Sequence, residues 1–404
     1  MLLTIVIEIQ WLTHASVARP AEVFYSGQFN QTSFFNIDFL AMAYMLIFLI
    51  VSFPASYIID TYGIKKGLSF GAILVVIFSL VKAIFAQSFM GIVIAQIGLA
   101  VAQPFILNAV TAVTVRWFPL NERGMAAGFS ALAQYIGIII AMLVTPLMIG
   151  TNPDLENYGA GFEKMLWIYG IISVIAAFAL LIFIREKPKN IKFNKEERHN
   201  FFTGLGHIVK QRDGIVTIFL FLLGLRIFNA VSAMTDSIAE HIGVKDSDGL
   251  IGGLMLIGGI IGAIIIPILS DKYRKRKLFL VICMSGMIPG IFGLAFANHL
   301  SSDPTTIYNI ALTASFVLGF FVMSAGPIGF QYAAEVSYPA PESTSQGILL
   351  WIGQITGLIF VTGMSINNNE NLGLFMIVFS ILTLISLIGV LLLRESKMIQ
   401  NEDI

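Results

Sequence analysis

Asp60-Thr61-Tyr62-Gly63-Ile64-Lys65-Lys66, read beside Asp271-Lys272-Tyr273-Arg274-Lys275-Arg276, decides the architecture. Each run sets an acid ahead of a basic cluster, follows one long apolar stretch and precedes another. The two lie 211 residues apart, close to half the chain. An acidic-then-basic device at equivalent places in both halves is what a parallel internal repeat produces. Working outward, apolar runs of the length a spanning helix needs, about 20 residues, fall into two sets. The first lies at about 1–22, 34–59, 67–87, 89–117, 124–149 and 165–184, the second at about 214–241, 249–270, 278–297, 306–332, 344–366 and 372–393. This pattern predicts an all-α membrane protein with twelve transmembrane helices in two pseudo-symmetric six-helix bundles. The expected divisions are an N-terminal bundle at 1–184, a linker at 185–213 and a C-terminal bundle at 214–404.

Composition agrees. Apolar residues make up 57% of the chain and charged residues 12%, with a mean hydropathy of +0.85. A soluble domain carries roughly 25% charged residues, so this chain cannot cover itself with polar groups and its partner is the lipid bilayer. The net charge of zero gives no footprint for nucleic acid. Cys283 is the single cysteine, and His14, His199, His207, His241 and His299 show neither an H-x-x-H nor an H-E-x-x-H spacing, so no metal site, cofactor or enzyme is expected. Met1 to Ile9 contains Glu8 and lacks a basic flank, unlike a cleavable signal peptide. The polar cluster Gln10 to His14 arrives after only nine residues, which points to missing first turns of helix one or an unusual start.

Basic residues set the orientation. Nineteen lie at the ends of segments two, four, six, eight and twelve or in the linker, against three (Arg19, Lys164, Lys245) on the opposite side. The expectation is a cell-membrane protein with both termini cytoplasmic. The opposite loops carry Asp154, Glu156, Asp246, Asp248, Asp303 and Glu370. An Asp at a helix end can pair with a neighbouring helix N-terminus and nearby bases. Asp60, Lys65 and Lys66, then Asp271, Arg274, Lys275 and Glu335, are therefore candidate gating residues. The bland alternative is a set of positive-inside loops with incidental acids.

Both repeated loops resemble the major facilitator loop signature, with Ser56 in place of an early glycine and Arg274 where a later glycine belongs. Further stretches are Gln10-Trp11, Asn36-Ile37-Asp38-Phe39-Leu40, Phe53-Pro54-Ala55-Ser56-Tyr57 and Val101-Ala102-Gln103-Pro104-Phe105. In the second half they are Pro327-Ile328-Gly329-Phe330, Ala334-Glu335-Val336-Ser337-Tyr338-Pro339 and Gln354-Ile355-Thr356-Gly357. Together these resemble the feline leukaemia virus subgroup C receptor family, transporters associated with choline, ethanolamine and haem. The resemblance implies a choline site with Trp11 in an aromatic cage, flanked by Gln103 and Gln354. The family's segment-seven tyrosine aligns with Asn229, which removes half of the cage, and Arg226 one turn earlier would repel choline.

Ionisable groups inside a bilayer are costly and point to function. Glu8, Trp11 and His14 recur at steps of three near one face of segment one. Arg226, Asn229 and Asp236 share segment seven, its counterpart. Arg226 is a candidate for binding an anionic substrate or pairing with Glu8 or Asp236, and His14 or an acid for taking up a coupling proton. A buried structural ion pair is the alternative. Lys82 is expected to snorkel towards the surface. No G-x-x-x-x-G-K-[ST] loop is present, so a gradient or the substrate itself must drive transport. The leading expectation is a monomeric secondary transporter of a small polar organic solute, a choline-like amine first, a proton-coupled organic anion second. A membrane enzyme or a non-transporting receptor ranks below both.

Overall fold

The computed structural model describes residues 1–29, 35–150, 157–186, 199–244, 250–365 and 372–396, and every regular element among them is helical. Segment one is split into α1 (Leu2–Leu12) and α2 (Ala18–Phe24). Then come α3 (Ile37–Tyr62), α4 (Ile64–Ile84), and a segment four divided into α5 (Phe89–Leu107) and α6 (Ala109–Trp117). Segment five is α7 (Arg123–Ile139), a π-helical turn at Ile140–Val144 and α8 (Thr145–Met148), and segment six is α9 (Phe162–Phe183). A short helix α10 (Phe201–Ile208) lies in the stretch expected to link the halves. Segment seven is split into α11 (Arg212–Ala233) and α12 (Thr235–His241). The chain continues through α13 (Leu250–Tyr273), α14 (Arg276–Leu300), α15 (Pro304–Val336), α16 (Glu342–Ser365) and α17 (Leu372–Leu392). Among the described residues nine spans are long and apolar enough to cross a membrane. The other three expected segments are the split first, the split seventh and α16.

Local chemistry sets the ends. Asn36 Oδ1 accepts from the Phe39 N–H at 3.0 Å, Ser88 Oγ from Gly91 at 3.3 Å and Asp303 Oδ2 from Thr306 at 2.9 Å, each filling an orphan donor of a first turn. Between α3 and α4 the chain turns at Gly63 with φ of +96°, a conformation open to glycine at no steric penalty. The equivalent turn in the second half is Arg274, also at positive φ (+53°). The missing glycine of the sequence signature is thus paid for in backbone strain.

The surface is apolar and the interior partly polar. Ile50, Leu147 and Phe183 are 74%, 84% and 76% exposed, whereas Gln96, Asn108 and Arg276 are wholly buried. Only a lipid solvent rewards that arrangement. The chain forms two compact units, Met1–Arg116 with Ala133–Phe193, and Trp117–Leu132 with Asn194–Ile404. In the first unit, Leu3, Ile7, Tyr44, Val75, Leu99 and Ala176 form part of one core that joins α1 to α3, α4, α5 and α9. In the second, Gly258 and Gly262 on α13 face the Phe316 and Phe320 carbonyls of α15, where a side chain would have no room.

Candidate functional site

The first unit is organised around the break in segment one. α1 stops at Leu12 and passes through a 3-10 turn at Ala15–Val17 before α2. Pro20, in the first turn of α2, has no N–H to give a helix running through this point. Last-turn carbonyls of α1 need donors from elsewhere. Lys82 Nζ, on α4, donates to Gln10 O at 3.0 Å and to Gln10 Oε1 at 3.1 Å. Gln96 Nε2, on α5, reaches Gln10 O at 3.3 Å, Trp11 O at 3.2 Å and Leu40 O at 3.0 Å. The snorkelling expected of Lys82 is therefore wrong: it is 1% exposed. A helix C-terminus, carrying partial negative charge, is a favourable place for a cation.

That clamp fixes the residues one turn to either side. Trp11 is half-buried; its Nε1 donates to Ala41 O at 3.0 Å and its ring centroid lies 6.2 Å from that of Tyr44. Glu8, 1% exposed, accepts from Gln134 Nε2 of α7 at 3.3 Å, and Gln103 of α5 is likewise buried in this unit. The Tyr44 hydroxyl is buried without a hydrogen-bond partner among the described residues, within the field of Glu8. Gly137 brings α7 against α1: a Cβ there would stand 2.8 Å from Glu8 Cβ. The π turn that follows at Ile140–Val144 is a feature frequent at functional sites. One turn beyond Trp11, His14 is fully buried, with both ring nitrogens unpartnered among the described residues, between Tyr25 (6.4 Å) and Phe162 (6.1 Å, stacked).

Of the residues expected from the sequence, Glu8 and Trp11 lie one turn apart on α1 and Gln103 is buried on α5; Tyr44, Gln96 and Gln134, which the sequence did not single out, contact the α1 residues. In the second unit segment seven also breaks, between α11 and α12 at Met234. Discontinuous helices at corresponding places in two repeats mark transporter binding regions. The side chains of Arg226, Asn229 and Asp236 lie outside the described residues, as do residues 187–198 of the linker cluster. Gln354 is half-buried on α16. An apolar crevice of about 420 Å³, touching Phe221, Met284, Val322, Gly329 and Leu393, has too few polar groups to orient a polar solute.

At the basic ends of the helices the repeated loops carry ordered charge. Asp271 Oδ1 and Oδ2 accept from the Gly124 and Met125 N–H groups at 3.2 and 2.6 Å, at the start of α7. Arg276, fully buried, is ion-paired with Asp271 and with Glu335 (Nε to Oε1 3.2 Å), and donates to Leu120 O at 3.3 Å. The cation that meets Asp271 is Arg276, where sequence reasoning had singled out Arg274 and Lys275; Lys275 is exposed. In the first unit Asp60 is half-buried, and Lys65 and Lys66 are exposed. There Glu186 pairs with Arg116 and accepts from the Ile64 and Lys65 N–H groups at 3.1 and 2.9 Å. Glu395, 209 residues later, accepts from the Lys277 N–H at 3.0 Å. Each half therefore uses a glutamate after its sixth segment, Glu186 or Glu395, each preceded by an arginine in the sequence, to cap the start of its third.

Residues 12–361 match the Major Facilitator Superfamily. The chain belongs to that superfamily. It is accordingly a multi-pass membrane transporter and not an enzyme. The chain is 28% identical over 367 residues to Solute carrier family 49 member A3 of Xenopus tropicalis, covering 87% of this chain and 73% of that protein. It is 26% identical over 367 residues to Choline/ethanolamine transporter FLVCR2 of Rattus norvegicus, covering 87% of this chain and 65% of that protein. The resemblance to the receptor family thus holds at low identity, and the chain spans about two thirds of the length of FLVCR2. Its fold is similar to the proton:xylose symporter XylE (TM-score 0.76, 14% identity, 98% of this chain and 94% of that one). It is also similar to the transporter FucP (TM-score 0.73, 14% identity, 96% and 97%).

Proposed function

We propose that this chain is a secondary transporter that carries a choline-like organic ammonium across the cell membrane by alternating access of its two halves. The observation that carries the reading is the grouping of Glu8 and Trp11, near the end of α1, with Gln134 of α7 bonded to the first and Tyr44 of α3 beside the second. Tying the indole N–H to Ala41 sets the orientation of the Trp11 ring, and cation–π attraction to such a face is worth about 0.5–2 kcal/mol. Glu8 places a carboxyl group one turn away on α1, and the Gln103 amide suits a hydroxyl, a role that the family resemblance also implies for Gln354. The relatives named as choline/ethanolamine transporters support the same solute class. The Asp271–Arg276–Glu335 cluster and the Glu186 and Glu395 caps serve as latches at the basic ends, where the positive-inside pattern places both termini and the linker in the cytoplasm. The chain acts as a monomer, with bundles divided near 184 and 214.

The test is counterflow of labelled choline and ethanolamine in proteoliposomes of purified protein. Saturable exchange that Trp11→Ala reduces at least tenfold, with protein yield and melting unchanged, supports the proposal. Exchange of organic anions only, or of nothing, refutes it.

A further inference from the structure

Glu8 departs from what a quaternary-ammonium site requires. It is a carboxyl group buried in the membrane-spanning part of the first unit, and its described hydrogen-bond partner is one neutral amide, Gln134 at 3.3 Å. No described cation lies in ion-pair reach of it. Lys82, the buried cation of the same unit, is committed to the carbonyl and side chain of Gln10. A carboxylate offers about four acceptor positions, and the one described amide donor leaves most of that capacity open. The neighbouring Tyr44 hydroxyl is likewise buried and unpartnered among the described residues. Gly137 holds α7 so close that the Glu8 side chain has little room to swing aside.

Resting on the ammonium reading above, we infer that Glu8 makes the site selective for ammonium ions that still carry an N–H bond. An N–H donor meets a carboxylate oxygen at about 2.7–2.9 Å and forms a charge-assisted hydrogen bond. A fully methylated nitrogen has no donor, and its methyl groups hold the charge farther away. Affinity across a series of increasing N-methylation should then fall abruptly at the last methyl, where the final N–H is lost. A cage of aromatic faces alone has no reason for such a step.

The experiment uses the full-length purified protein and four probes: ethanolamine, its N-methyl and N,N-dimethyl derivatives, and choline, in competition binding at pH 7. Wild type is expected to bind the first three within a few-fold of one another and choline roughly ten- to a hundredfold more weakly. Glu8→Gln, isosteric and neutral, keeps a carbonyl acceptor but loses the charge assistance, so it should shrink the step to a few-fold while keeping measurable choline binding; Glu8→Asp should retain it. Smooth or strengthening affinity through the last methylation in wild type overturns the inference and leaves the transport reading standing. So does a step of undiminished size in Glu8→Gln. Absence of binding by all four probes refutes the transport reading and this inference with it. The wild-type series decides even if Glu8→Gln fails to fold.

Discussion

Arg276→Met is the sharpest perturbation of the second unit. The guanidinium is wholly buried and serves Asp271, Glu335, the Ser270 hydroxyl at 3.4 Å and the Leu120 carbonyl. Removing it strands two carboxylates inside the protein. Breaking a buried ion pair from one side costs about 3–5 kcal/mol, which for a unit of this size lowers the melting midpoint by roughly 6–20 °C. The chain carries its own reporter, because Cys283 is its single cysteine, is fully buried and lies two turns along the helix that Arg276 begins. A thiol-reactive fluorophore followed during heating therefore reads the opening of α14 itself. The triple variant Asp271→Asn, Arg276→Met, Glu335→Gln removes the stranded charge and should regain at least half of the loss, since neutral replacements of buried ionic networks are often well tolerated. The side-chain amide that replaces the Asp271 carboxylate still has a carbonyl oxygen to accept one N–H from the start of α7. A single variant melting within a degree of wild type would refute the reasoning. So would a triple variant no more stable than the single.

Two further outcomes are expected. Lys82→Met deprives Gln10 Oε1 of its Lys82 donor and leaves Gln10 O to Gln96 alone; the loss of stability should be about 1–3 kcal/mol, and acrylamide should quench Trp11 fluorescence more strongly in a background with the other tryptophans replaced. Unchanged quenching would show that the clamp does not hold the Trp11 turn. Arg274→Gly restores the residue suited to a φ of +53° and should be neutral or raise stability by up to about 1 kcal/mol; a clear drop in melting midpoint would mean that the Arg274 side chain contributes more than its backbone strain removes.

The segment positions and the two-fold repeat were legible because bilayer thickness imposes a length on each apolar run and basic residues punctuate them. The signature even foretold where the second half departs: Arg274 occupies the left-handed turn that Gly63 occupies in the first. What hydropathy could not give is azimuth. Lys82 sits near the end of a spanning helix, where depth alone suggests snorkelling; only packing shows that it faces the broken end of α1. Among Arg274, Lys275 and Arg276 the sequence offers no ranking, because the turn geometry decides which side chain points inward. Pro20 was a visible signal for the break in segment one, and the recurring Arg-Glu dipeptide was a visible signal for the two caps; neither was read as such. Gln134 reaches Glu8, and Tyr44 reaches the Trp11 ring, from other helices, a convergence that exists only in three dimensions.

The broken end of α1 has a bearing on how the protein is made. The Gln10 and Trp11 carbonyls obtain their side-chain donors from Lys82 and Gln96, which lie some 70 to 85 residues further along the chain. While segment one is emerging during synthesis, those donors do not yet exist, and unpaired carbonyls in hydrocarbon cost several kcal/mol each. Segment one therefore cannot settle in lipid in its final form until segments three and four have joined it. Segment one thus reaches its mature conformation later than its place ahead of segments three and four would suggest.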